Sequence, residues 1–303
     1  MTMVFRDESV AYYSTPGLIT DPGEYAYCLD GLPRDLPELS QVVRGLVVHY
    51  HSDALVGYEL PLERFDEVRT RSLASMLERL CELDPRPLTV TRPPERHLIG
   101  CCRDAATLAC AILRDHGIPA RVRVGFASYL APSLYVDLWV VERWDDERQR
   151  WILVDAEQEV PVRGADGSIF DACDVPRNQF LVAGAAWQAC RAGRQNSVHF
   201  GYDPQTTGMG VIKSNLLHDL ACLNKVELTP WDFWGLVLTE LEQHSRDDLA
   251  LLDHIAVLTQ GDTDGFLEMR GLYGRNSCLR VPATITTFNL TDEKIDTHIG
   301  LPP

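Results

Sequence analysis

Between Ala105 and Asp155 the chain changes its apolar period once, and that change limits the folds open to it. Apolar residues at Ala105, Leu108, Ala109, Ile112 and Leu113 recur at helical spacing, Gly117 stands where such a helix ends, and Pro119 prevents its resumption. Val122, Val124 and Phe126 then alternate with Arg121 and Arg123, and residues 135–144 and 151–155 also have strand composition. The charged run from Asp145 to Arg150 is a solvated hairpin turn, so at least the last two strands are antiparallel. A helix buried on one face, followed by three strands, predicts an α+β arrangement with the helix packed on an antiparallel sheet.

The flanks are less regular. Residues 1–60 read as loops and short elements, rich in Pro, Gly, Asp and Tyr, with one apolar stretch at residues 42–50. Leu62, Phe65, Val68, Leu73, Met76, Leu77 and Leu80 predict one amphipathic helix over residues 61–83, ended by Asp84-Pro85-Arg86-Pro87. We place the core at residues 61–170 and a mainly helical extension, packed on it, at 171–303. Within that extension helices are expected near 179–191, near 213–225 and from Ser245, where Ser245 and Asp248 have capping-box spacing. The tail from residue 281 reads as extended, with a strand at 284–288.

With 303 residues and 45% hydrophobic content, the chain can bury a full core. Its 28 basic and 44 acidic residues give a charge of -16, and no Lys/Arg cluster stands out, which disfavours nucleic acid and anionic membranes as partners. No apolar run of about 18 residues occurs, and Arg6, Asp7 and Glu8 lie where a secretory signal needs its apolar centre. The expectation is a cytoplasmic protein. Nine cysteines without a CxxC pair indicate neither a disulfide framework nor a zinc knuckle, and no cofactor or metal is expected.

Cys102 stands at the start of the predicted helix, where unpaired amides and the helix dipole favour a thiolate. It is therefore a candidate nucleophile, set against the plainer reading of a buried, inert cysteine. A cysteine attacking an amide or ester needs a base, a group that orients the base, and donors for the oxyanion. Gly100-Cys101-Cys102-Arg103-Asp104, Gly117-Ile118-Pro119-Ala120-Arg121, Asp137-Leu138-Trp139 and Val154-Asp155-Ala156 follow in that order. In these pieces residues 97–157 resemble the core of the transglutaminase-like superfamily, whose pattern is G-x-C-R-D, G-I-P-A-R, H-x-W-x-E and V-D-P.

The resemblance covers about a fifth of the chain. It implies a papain-related cysteine fold in which Cys102 is the nucleophile and Asp155 the orienting carboxylate, with Cys101 second in line as nucleophile. It also implies thiol-dependent acyl transfer or hydrolysis at an amide or related carbonyl of a small molecule or peptide. The family's histidine position holds Asp137, giving a variant Cys-Asp-Asp site. A carboxylate with a pKa near about 4 is a poor base for a thiol near about 8.5.

Several arrangements would accommodate this change. Asp137 and Asp155 could share one proton, leaving an acid that donates to the substrate. His97, His199 or His218 could supply a base from elsewhere, or the two acids could join other oxygen ligands around a metal. Two other classes stay open: a scaffold that keeps the fold without catalysis, and a small-molecule enzyme using Cys102 and the acids as acid/base groups without an acyl-enzyme. His49 and His51 have strand spacing that suits a metal, but no third ligand lies in sequence reach. Trp231-Asp232-Phe233-Trp234 could line a pocket or fill the core, and Gly208-Met209-Gly210 is too short for a phosphate loop.

Overall fold

The computed structural model describes residues 2–52, 61–261, 265–288 and 294–299. The predicted extended tail therefore falls partly outside the described residues, as do residues 53–60. The chain runs through α1 (Thr2–Tyr13), a 3-10 segment over Gly23–Leu29, α2 (Leu36–Arg44), β1 (Val47–His49), a second 3-10 segment over Leu62–Arg69, and α3 (Leu73–Leu83). Strand β2 (Leu98–Gly100) leads into α4 (Cys102–Asp115), followed by β3 (Ala120–Ala131), β4 (Leu134–Asp145) and β5 (Arg150–Val154). Next come β6 (Val162–Arg163), β7 (Ile169–Phe170), β8 (Phe180–Val182), α5 (Ala183–Arg191), β9 (Phe200–Gly201) and α6 (Met209–Leu223). The last elements are β10 (Asp232–Phe233), the single turn α7 (Gly235–Leu238), α8 (Arg246–Leu258), α9 (Phe266–Arg275), β11 (Thr284–Phe288) and β12 (Lys294–His298).

The architecture is α+β, built on one central sheet with strand order β5-β4-β3-β8; β9 pairs parallel with β4. The pairs β3–β4, β4–β5 and β3–β8 are all antiparallel. The registers Val124↔Trp139 and Val141↔Val154 place Val122, Val124, Trp139, Val141, Ile152 and Val154 on one face. Those residues share a core with Leu108, Ala109, Ile112 and Leu113 of α4. Gly117 takes a left-handed φ of 71°, which lets the chain reverse from α4 into β3 with Ile118 N–H bonded to the Leu113 carbonyl at 2.9 Å.

A second core lies under α5, α6 and α8, which bury Trp187, Ile212, Leu216, Leu220, Leu252 and Ile255. α6 runs beside β3 beyond the reach of β8, and Asp219 there accepts from the Val124 amide at 2.9 Å. This replaces a missing strand neighbour with a side chain. The Ser245 capping box is present: Ser245 Oγ accepts from Asp248 N–H at 3.1 Å, and Asp248 Oδ2 accepts from Ser245 N–H at 2.9 Å.

Two segments differ from the sequence reading. The single helix expected over 61–83 is a 3-10 segment and a separate α3. The Thr70 and Arg71 carbonyls accept from the Arg103 guanidinium at 3.0 and 2.6 Å instead of serving a helix, and Ser72 then caps α3 by accepting from Ser75 N–H. Residues 180–182, read as the start of a helix, instead extend the sheet along β3 as β8.

Candidate active site

The start of α4 is fixed by the side chains that follow Cys102. Arg103 is fully buried and donates to the carbonyls of Thr70, Arg71 and Glu227 and to Asp104 Oδ1, joining the helix to two distant segments. Asp104 Oδ2 accepts from Cys101 N–H at 2.8 Å, satisfying one amide at the helix entrance. The carboxylate folds so closely over Gly100 that a Cβ there would lie 2.7 Å from Asp104 Oδ2. Gly100→Ala is accordingly expected to displace this cap and destabilise the protein by about 1–2 kcal/mol, read from the denaturant midpoint.

Cys102, the first residue of α4, is partly buried and opens into a cleft of about 400 Å³. Val136 and Asp137 of β4 line it, together with His49, Tyr50, His51, Tyr202, Trp231 and Phe233. The aromatic residues of the Trp231–Trp234 run therefore divide: Trp231 and Phe233 face the cleft, whereas Trp234 is buried. The Tyr50 ring packs edge-on against Trp231, with centroids 5.8 Å apart.

Asp137 continues the face of Trp139 and Val141, the face against which α4 packs, and so emerges beside the start of that helix. Asn215 of α6 donates from Nδ2 to Asp137 Oδ1. Burial pushes the Asp137 carboxyl up to about 7, opposed by the Asn215 bond. The Cys101 thiol beside it, burial, and the Glu157 and Asp137 carboxylates push the Cys102 thiol well above its ordinary range. At neutral pH the cysteine is therefore a thiol, and the helix start does not suffice to ionise it.

Asp155 does not line this cleft. It is buried, with Oδ2 accepting from the Tyr129 hydroxyl at 2.7 Å and Oδ1 accepting from Glu157 N–H at 3.0 Å. Burial raises its carboxyl, opposed by Tyr129 and by the Glu157 and Gln158 amides. The upward shift of Asp137 has burial as its cause, and Asp155 is not among the groups that produce it. Asp155 instead bonds Tyr129, whose phenol is raised by burial, Asp155, Glu157 and Cys102.

The histidines weighed as substitutes lie elsewhere. His97 Nε2 bonds the Arg92 carbonyl at 2.9 Å, and His199 is exposed on a 3-10 turn. His218 is held between the Ser214 and Asp232 carbonyls and packs edge-on against Trp139 and Trp234. The imidazoles in the cleft are His49 and His51, considered above only as a metal pair. β1 pairs parallel with β2 and sets His49 beside Gly100, bringing it to the cysteine from far upstream. Burial and His51 push His49 down to about 4, so its ring is neutral at physiological pH.

Among the described residues no group of three His, Cys, Asp or Glu side chains is arranged to hold a metal ion. Sequence reading also missed Asn215, Tyr129 and Glu157. Glu157, three residues past Val154, lines a smaller chamber with His49, Arg44, His97 and Ala105; burial, Asp155 and Asp104 raise its carboxyl to about 8.

The segment containing this cysteine matches the model of the transglutaminase-like superfamily over residues 69–156. Residues 69–156 are thus a transglutaminase-like core. Among solved structures, a candidate cysteine protease from Cytophaga hutchinsonii is 17% identical, with a TM-score of 0.31 over 57% of this chain and 49% of that one. A red sea bream transglutaminase is 15% identical, with a TM-score of 0.28 over 86% of this chain and 42% of that one. The chain thus spans about half the length of the first of these proteins and less of the second. No curated protein matches it. Among the described residues, no helix is long and apolar enough to cross a membrane.

Proposed function

We propose that this chain is a cysteine-dependent acyl-transfer or hydrolytic enzyme acting on an amide or related carbonyl of a small molecule or peptide. The observation that carries the reading is Cys102, at the first position of α4, opening into the same cleft as an Asp137 carboxyl that titrates at about 7. Nine free cysteines suit a reducing compartment such as the cytoplasm.

A substrate carbonyl in the cleft is attacked by Cys102 Sγ while the thiol proton passes to the Asp137 carboxylate. Amides at the start of α4, which lack intrahelical acceptors, are the donors for the oxyanion. Asp137 then returns the proton to the leaving nitrogen or oxygen, and a thioester remains on Cys102. Water, or an acyl acceptor, attacks that thioester with Asp137 again taking a proton. Asn215 holds one carboxylate oxygen and leaves the other for this transfer.

The pH profile tests the role of Asp137. A base acts only when ionised, so kcat/KM is expected to rise as pH passes through about 7 and to lose this rise in Asp137→Asn. A rise through about 4 that survives the substitution would assign the base to His49 instead. The competing reading, a scaffold that retains the fold without catalysis, is favoured by the protonated Cys102 thiol and by the engagement of Asp155 with Tyr129. It predicts no acyl-enzyme with any activated carbonyl substrate.

A further inference from the structure

We infer that Cys28 and Cys81 form a redox-active thiol pair, a site of reversible disulfide modification distinct from the Cys102 cleft. Cys28 lies on the Gly23–Leu29 segment and Cys81 on α3, 53 positions apart in sequence, yet their Sγ atoms are 3.3 Å apart. A disulfide requires about 2 Å, so bond formation calls for a side-chain movement of about 1 Å. Both residues are partly buried rather than sealed, which leaves a small oxidant access to the sulfurs.

A buried cation faces the pair. Arg92 is 3% exposed and donates from Nη1 to the carbonyl of Leu80, the residue before Cys81, and from Nη2 to the Arg86 carbonyl. Its Nε–H has no partner among the described residues, and its charge acts on both thiols. A fixed guanidinium with an unused donor beside two sulfurs favours a thiolate there. Burial and the bond to Cys81 push Cys28 up to about 11, which disfavours its thiolate, and the first attack is therefore assigned to Cys81; either sulfur can donate in the contact between them.

The oxidant is a low-molecular-weight disulfide. Cys81 releases its proton to solvent and attacks one sulfur of oxidised glutathione, whose S–S bond breaks as a glutathione thiolate leaves. Cys28 then gives its proton to that thiolate and attacks Cys81 Sγ, expelling the second glutathione. Two protein thiols are oxidised, and one disulfide is reduced to two thiols. The new bond joins the Gly23–Leu29 segment to α3.

The test is exposure of the intact chain to oxidised glutathione, followed by alkylation and non-reducing peptide mapping. The expected product is the Cys28 peptide joined to the Cys81 peptide, with the other cysteines alkylated, a melting temperature raised by about 3–8 °C, and full reversal by dithiothreitol. In Cys28→Ser the first step has no resolving partner, so Cys81 is expected to retain glutathione as a stable mixed disulfide. Free alkylation of both Cys28 and Cys81 after exposure, or oxidation confined to Cys101 and Cys102, would overturn the assignment. Neither outcome depends on catalysis at Cys102.

Discussion

Cys102→Ala is expected to lower kcat/KM by at least about 1,000-fold while leaving a folded protein, because the thioester cannot form without the sulfur. The side chain is partly exposed at the cleft, and the bonds that hold the start of α4 come from Arg103 and Asp104. Removing Sγ disturbs none of these bonds, and the expected loss of stability is about 1 kcal/mol or less. Cys101→Ala, one residue earlier, removes the neighbour that most raises the Cys102 thiol. It is expected to increase rather than abolish the alkylation rate of Cys102 at neutral pH.

The largest effect on stability is expected from Glu142→Gln. Glu142 is fully buried and accepts from Arg121 Nε at 2.6 Å and Arg123 Nη1 at 3.0 Å, and Arg177 reaches its other oxygen. Arg123 is in turn paired with Asp219 of α6 at 2.9–3.0 Å, so the network joins β3, β4 and the second core. Neutralising the central carboxylate leaves two buried guanidinium groups undercompensated, which costs about 3–5 kcal/mol. The same group sets an acid limit. Despite its burial, Arg121, Arg177 and Arg123 hold the Glu142 carboxyl well below the usual carboxylate range. Its contribution is therefore complete above the unfolded-state value of about 4.5 and declines as pH falls below it. Denaturant titrations of wild type and Glu142→Gln should converge as pH is lowered through that window.

The central layer was legible because its signals are local. The period change after Leu113, the stop at Gly117 and Pro119, and the hairpin at Asp145 each depend on neighbouring residues, and all three match the structure. The helix over 61–83 was misread because its break is imposed from 30 residues away, where Arg103 takes the carbonyls of Thr70 and Arg71. The site divides in the same way. Cys102 and Asp137 were visible as motif positions, and strand alternation carries Asp137 to the side of the sheet covered by α4. Asn215, Tyr202, Trp231 and Phe233 come from the C-terminal half, and His49 enters by a parallel pairing with β2. Local spacing carries no trace of such encounters. Asp155 fits the motif, yet its carboxylate bonds Tyr129, a partner contributed by β3.

Whether Cys102 and Asp137 act together is tested most directly by trapping the acyl group. The intact protein is incubated with an activated ester such as p-nitrophenyl acetate across pH 6 to 8, a range chosen to bracket about 7, and acylated peptides are identified by mass spectrometry. Acylation is expected at Cys102 ahead of the other cysteines, at a rate that rises through about 7 in wild type and is flat in Asp137→Asn. Label spread evenly over the exposed thiols, with none favouring Cys102 at any pH, would contradict this expectation.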